Sequence, residues 1–134
     1  ETELNILVID SQGKLRVERG IASVDCGLAV NPELVEDQVA GGMIFGISNA
    51  LYGEITLKNG RVEQSNFHDY PILQLKDAPK IEVHLAKSDS QTPNGVGEGG
   101  VPVVIAALVD AIFQAGGPRV RKLPILSENG ALSL

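Results

Sequence analysis

The chain has 134 residues, a formal net charge of −6 at pH 7 and 43% hydrophobic residues. The hydrophobic content excludes a disordered chain, and the length is that of one ordinary domain. The negative charge excludes a nucleic-acid-binding domain, because phosphate contacts require a basic face. Charged or turn residues interrupt every apolar run before it reaches the length of a membrane-spanning helix. The lone cysteine, Cys26, excludes an intrachain disulfide and is expected to be a small buried side chain.

The first part of the chain predicts a hairpin followed by a long helix. Residues 3–10 and 15–25 alternate like two strands joined by a tight turn, with a bulge expected at Gly20. The Asn-Pro pair at residues 31–32 matches a helix N-cap and first helical position, and the helix is predicted to reach about Leu51. Because the chain opens directly on a strand pattern, we expect it to be a piece of a longer protein.

Three glycines interrupt the interior of this helix, Gly41, Gly42 and Gly46. Each costs about 0.8–1 kcal/mol relative to alanine, so the close approach of another backbone or of a flat ligand is expected to offset them. Gln38, Gly42 and Phe45 share one helix face, where a polar side chain above a glycine surface can hold the edge of a ligand. Tight packing of the helix on the sheet is the alternative, and the residues alone do not separate the two.

The second part of the chain predicts further strands, a glycine-rich loop and an apolar helix. Residues 53–64 alternate around an Asn-Gly turn, residues 80–86 form a strand, and residues 102–115 form a helix that begins at a proline. A short strand is expected near residues 121–126. This order predicts an α+β fold in which a mixed, largely antiparallel sheet carries two main helices packed on it. Residues 1–134 are predicted to form a single domain.

The loop at residues 91–100, QTPNGVGEGG, places Glu98 among glycines directly before the second helix. Glycines leave no bulk to shield the carboxylate, so the loop suits a catalytic base presented into a pocket, with a plain turn as the alternative. Gly95, Gly97 and Gly100 also satisfy the GxGxxG pattern of dinucleotide-binding loops. The absence of an acidic ribose partner about twenty residues later, and the negative charge of Glu98, both argue against that function.

The sequence around the two histidines predicts neither a metal site nor a hydrolase site. His68 lies beside Asp69 in a loop and His84 lies in a strand, and this spacing without a cysteine partner does not match a zinc site. A nucleophile turn of the GxSxG type is also missing. No side chain is therefore predicted to ligate a metal, and catalytic chemistry falls to Glu98.

Several segments, taken in order, resemble one enzyme family. They are VDCGLAVNP, EDQVAGGMIFGISNALYGEITLKNGRV, SNFHDYPIL, GVGEGGVP and RVRKLPI. Together they are similar to the C-terminal end of the molybdenum-binding subunit of the xanthine dehydrogenase and aldehyde oxidase superfamily, most of all to the isoquinoline 1-oxidoreductase beta-subunit type. The resemblance runs from about Leu4 to Ile125. It implies that the chain is a C-terminal fragment of a larger molybdopterin-binding domain.

The resemblance also implies a function and a set of site residues. The parent enzyme is expected to hydroxylate an N-heterocycle or an aldehyde with water-derived oxygen at a molybdopterin-type molybdenum cofactor. Glu98 matches the general base of the family. Gln38, Gly42 and Gly97 are expected to contact the pterin, whose dithiolene sulfurs hold the metal in place of protein side chains. Members of the family commonly carry proline directly after the base, so Gly99 predicts a more mobile loop here.

The resemblance further implies partners. An aromatic heterocycle or an aldehyde is the expected substrate, and 2Fe–2S clusters in a partner subunit are the expected electron acceptors. The isolated chain is expected to lack the cofactor and to be inactive. The alternative function is a non-catalytic module that only packs against a partner subunit.

Overall fold

The computed structural model of the protein describes residues 4–8 and 15–126. Its elements are strands β1 (Leu4–Val8) and β2 (Val17–Val24), helix α1 (Pro32–Tyr52), strands β3 (Leu57–Lys58), β4 (Arg61–Val62) and β5 (Lys80–Leu85), and helix α2 (Gly100–Gln114). A short 3₁₀ helix at Leu75–Asp77 precedes β5. The predicted α+β fold with two main helices is confirmed. The turn predicted between the first two strands lies outside the described residues.

The main sheet has the strand order β1–β2–β5. β1 pairs with β2 antiparallel, whereas β2 pairs with β5 parallel. The predicted mixed sheet is therefore confirmed, but its largely antiparallel character is confirmed only in part. α1 lies between β2 and β5 in the chain, as expected for a parallel pair, which requires a crossover connection. β3 and β4 form a separate antiparallel hairpin around the predicted Asn-Gly turn.

Gly20 does not form the predicted bulge. It lies within the regular ladders of β2, and the register shift in the β1–β2 pair falls between Leu7 and Val8 instead. A Cβ atom built on Gly20 would lie 2.9 Å from Cδ1 of Ile81 and 3.0 Å from Cε of Met43. The glycine therefore makes room for the side chain of its pair partner on β5 and for a side chain of α1, which strand alternation alone does not reveal.

α1 begins as predicted and ends one residue later than predicted. The side-chain oxygen of Asn31 accepts a hydrogen bond from the backbone N–H of Leu34, and Pro32 is the first helical residue. At the other end, the backbone N–H groups of Ile125 and Leu126 donate to the carbonyl oxygens of residues 50 and 51, at 2.7 and 3.0 Å. The strand predicted near residues 121–126 is wrong, because this segment binds helix carbonyl groups that lack an intrahelical donor.

α2 begins at Gly100, two residues before the predicted start. Pro102 lies in its first turn, where backbone N–H groups have no intrahelical acceptor and a proline removes no hydrogen bond. Val104, Leu108 and Ile112 form its buried stripe, while Ala106 and the other residues between them are partly or fully exposed.

The core lies where the two helices meet the sheet. α1 packs against α2 and β5, and α2 packs against β1. The buried apolar side chains are Val17, Ala22, Cys26, Val39, Met43, Ile47, Ala50, Leu51, Val104, Leu108, Ile112, Val120 and Ile125. The predicted burial of Cys26 is confirmed. No helix in the described part of the chain is long and apolar enough to cross a membrane.

Candidate functional site

Glu98 lies in the turn that leads into α2, with its side chain exposed to solvent. Its backbone carbonyl accepts a hydrogen bond from the N–H of Val101 at 3.0 Å, and Gly99 already has helical backbone angles. Glu98 is thereby placed at the N-terminal end of α2, where unpaired N–H groups and the helix dipole favour a negative charge.

Residues 91–99 form a loop that we call the Glu98 loop. Its base is fixed to the segment that follows β2. The N–H of Asn94 donates to the carbonyl of Cys26 at 2.8 Å, and the N–H of Leu28 donates to the carbonyl of Thr92 at 3.2 Å. Gly27 between them has φ +66°, and a Cβ atom there would lie 2.3 Å from the Thr92 carbonyl oxygen. Sequence reasoning missed this role of Gly27, because its bridge partner, Pro93, lies 66 positions later and leaves no local signal.

The tip of the loop is fixed to α1. Nε2 of Gln38 donates a hydrogen bond of 2.8 Å to the carbonyl oxygen of Gly97. Gln38 is exposed, as are Gly97 and Glu98. Three of the four residues predicted as site residues are thus joined at one place, although α1 and the loop are far apart in the chain.

Two of the three glycines of α1, Gly42 and Gly46, face α2, whereas a Cβ atom on Gly41 would meet nothing within 4 Å. A Cβ atom on Gly46 would lie 2.4 Å from Cγ1 of Val104 and 2.6 Å from the carbonyl oxygen of Val101. A Cβ atom on Gly100 of α2 would lie 2.8 Å from the carbonyl of residue 39. A Cβ atom on Gly42, beside the same crossing, would lie at an ordinary contact distance of 3.7 Å from the Cα atom of Gly100. The close approach expected from the sequence is therefore between two helices rather than between helix and sheet.

The loop glycines have a different environment. A Cβ atom on Gly95, Gly97 or Gly99 would meet nothing within 4 Å, and none of the three has a positive φ that favours glycine. Neither packing within the described chain nor backbone conformation requires glycine at these positions. The surface beside them, next to the exposed amide of Gln38, is open to close approach by another group.

The His68-Asp69 pair belongs to a turn and not to this site. Asp69 accepts hydrogen bonds from the backbone N–H groups of Asn66 and Ser65, while Nε2 of His68 lies 3.5 Å from its carboxylate. Across residues 4–8 and 15–126, no group of three or more His, Cys, Asp or Glu side chains converges.

A concave surface lies elsewhere on the molecule, between α1 and residues 67–73. It encloses about 400 Å³ and is mostly apolar, with Phe45, Phe67 and Ile72 in its walls. We call it the α1 groove. Neither Gln38 nor Glu98 lines it, so it is separate from the site at the N-terminus of α2.

Comparison with known proteins finds a matching family model and proteins of similar sequence. A family model for a molybdopterin cofactor-binding domain matches residues 6–79. The chain is 36% identical over 115 residues to the beta subunit of isoquinoline 1-oxidoreductase from Brevundimonas diminuta, covering 86% of this chain and 15% of that protein. It is 34% identical over 116 residues to a subunit of nicotinate dehydrogenase from Pseudomonas putida, covering 87% of this chain and 10% of that protein.

The fold is also similar to that of solved structures. Quinoline 2-oxidoreductase from Pseudomonas putida 86 superimposes with a TM-score of 0.70 at 29% identity, covering 87% of this chain and 16% of the other. The chain therefore spans less than a fifth of the length of each of these three relatives.

Proposed function

Because the chain belongs to the molybdopterin cofactor-binding domain family, among the molybdenum-binding subunits of the xanthine dehydrogenase and aldehyde oxidase superfamily, we propose that it forms part of a hydroxylase active site. The proposed reaction replaces a C–H bond at an electron-poor carbon of an N-heterocycle or an aldehyde by a bond to water-derived oxygen, and the two electrons of the C–H bond would pass to the molybdenum cofactor. The observation that carries the proposal is the hydrogen bond from Gln38 to Gly97, which brings the predicted cofactor residue beside the predicted base.

Glu98 is the proposed general base. A carboxylate among glycines can approach a substrate closely, because no neighbouring side chain stands in the way. Its oxygen atoms accept the proton that the water-derived hydroxyl group must lose as it attacks carbon. The molybdenum cofactor, when bound, supplies the redox chemistry and acidifies that hydroxyl group.

Gln38, Gly42 and Gly97 are the proposed contacts to the pterin. The amide of Gln38 keeps its oxygen and one N–H for a ligand after it donates to Gly97. The open face of Gly97 leaves room for a flat ring beside that amide. This arrangement fits a pterin edge, which carries both hydrogen-bond donors and acceptors.

Since the chain spans less than a fifth of its relatives, we propose that it is a C-terminal piece of a larger molybdopterin-binding domain. An iron–sulfur partner subunit with 2Fe–2S clusters is the proposed electron acceptor. The competing function, a packing module without catalytic residues, is supported by the apolar α1 groove.

Replacement of Glu98 in the full-length enzyme tests the base. Glu98→Gln keeps the size of the side chain but removes its capacity to take a proton, so we expect the rate per bound molybdenum to fall about 10²- to 10⁴-fold. Molybdenum content should stay unchanged. Glu54→Gln makes the same change at another exposed position and should leave the rate unaltered. A Glu98→Gln rate within a few-fold of the wild type would remove Glu98 from the mechanism and favour the packing module.

A further inference from the structure

The tip of the Glu98 loop has few restraints. Its base is fixed by the hydrogen bond from Asn94 to Cys26, and its end by the hydrogen bond from Val101 to Glu98. Between them, three glycines have no packing neighbour for a side chain. Among the described residues, Gln38 provides the one side-chain hydrogen bond to residues 95–99. Glycine backbones have more accessible conformations than any other residue, so this one bond carries much of the order of the tip.

The bond acts directly on the position of Glu98. A peptide unit is planar, so holding the carbonyl of Gly97 also holds the N–H and the Cα atom of Glu98 in the same plane. The orientation of the Gln38 amide follows from chemistry, because a carbonyl oxygen only accepts and the amide must present its N–H₂ group to it. The amide oxygen therefore points elsewhere, and no described residue donates to it.

We propose that Gln38 is a positioning residue for the carboxylate of Glu98, an inference that rests on the function proposed above. The side-chain N–H of Gln38 fixes the peptide plane that leads into Glu98, and its oxygen remains for a donor on the cofactor. A ligand that donates to this oxygen polarises the amide and strengthens its bond to Gly97. The same side chain thus links ligand binding to the order of the loop that carries the base.

Two substitutions in the full-length enzyme test this role. Gln38→Met keeps the length and helix propensity of the side chain without a donor, and Gln38→Glu replaces the donor by an acceptor. In both variants we expect hydrogen exchange at the amides of Asn94 and Val101 to quicken about fivefold to tenfold, the effect of one lost hydrogen bond. We also expect kcat per bound molybdenum to fall by a similar factor, with KM nearly unchanged.

Gln91 provides the matched control. It lies in the same loop region, is exposed and makes no hydrogen bond to another described residue, so Gln91→Met and Gln91→Glu should change neither exchange nor kcat. An effect of Gln38→Glu without one of Gln38→Met would assign the change to charge and overturn the inference. The inference would also be overturned if both Gln38 variants lost molybdenum while the hydrogen-exchange rates of the loop amides stayed unchanged. Gln38 would then bind the cofactor without ordering the loop.

The Glu98 and Gln38 variants together distinguish failure of the positioning role from failure of the proposed function. If Glu98→Gln is inactive while both Gln38 variants keep wild-type exchange and kcat, the positioning role is wrong and the base assignment stands. If Glu98→Gln is active, the proposed function is wrong, and faster exchange in the Gln38 variants would still support the restraint on the loop.

Discussion

A single carboxylate holds the turn at residues 65–69. Asp69 accepts hydrogen bonds of 2.9 Å from the backbone N–H groups of Asn66 and Ser65, and one of 2.8 Å from the hydroxyl of Ser65. These donors favour the ionised form and lower the pKa of Asp69 to about 2. The turn presents Phe67 to solvent at the edge of the α1 groove, with 77% of that residue exposed.

The pKa of Asp69 predicts a pH-dependent stability. Because the folded-state pKa lies below the ordinary value of 3.8, the stabilisation is fully present above about pH 4 and is lost as the pH falls toward about 2. Asp69→Asn should therefore lower the unfolding temperature near neutral pH, and the difference from the wild type should shrink across that acid range. Thermal unfolding followed by circular dichroism measures this difference. Asp89→Asn is the control, and a difference that is constant with pH would contradict the assignment.

At the scale of elements, the crossing of α1 and α2 determines where the site lies. Gly46 and Gly100 let the two backbones approach so closely that a Cβ atom on either would lie less than 3 Å from the other helix. The crossing places the first turn of α2, and with it Glu98, beside the Gln38 end of α1. Two glycines in the core therefore define the geometry of polar residues at the surface.

Two glycine substitutions on α1 should have opposite effects. Gly46→Ala places a methyl group against Val104 and the backbone of Val101, and overpacking of this kind costs about 1–3 kcal/mol. Gly41→Ala meets nothing within 4 Å and should raise the free energy of unfolding by up to about 1 kcal/mol through helix propensity. Denaturant unfolding of the 134-residue chain gives both values. Equal effects of the two substitutions would show that α2 does not pack on Gly46.

Local signals determined which elements the sequence could predict. The start of α1 at the Asn-Pro pair follows from capping, and the hairpin at Asn59 follows from a turn that needs positive φ, which Asn59 and Gly60 both have. The parallel pairing of β2 with β5 joins distant segments that carry no local mark. For the same reason, the sequence did not reveal that Gly46 packs against α2 or that Gly27 holds the Glu98 loop.

At the scale of the whole molecule, several large apolar side chains lie outside the core and are exposed to solvent. Phe45 is 60% exposed in the α1 groove, and Leu75 is 93% exposed outside it. A large exposed apolar patch marks an interaction site in soluble proteins, and the α1 groove is both apolar and open to solvent. The family predicted from the ordered motifs is confirmed, and the isoquinoline 1-oxidoreductase beta subunit compared above is several times longer than this chain. In the full-length enzyme proposed above, we expect other parts of the polypeptide to cover the α1 groove.

The 134-residue chain alone should therefore self-associate. Its weight-average mass from light scattering should rise with concentration, and a dye that fluoresces on apolar surfaces should bind. The double substitution Phe45→Gln and Phe67→Gln should reduce both signals, because both side chains line the α1 groove. Leu75→Gln, outside the groove, should reduce them less. A chain that stays monomeric without dye binding would show that the groove is not an association surface.

The bond between Gln38 and Gly97 also has a consequence for synthesis on the ribosome. Fifty-nine positions separate the two residues. At a translation rate of about 5–20 residues per second, Gln38 emerges roughly 3–12 s before its partner. A nascent chain thus displays one half of the site well before the other half exists. Any ligand that requires both halves can be bound only after the ribosome has finished the glycine loop.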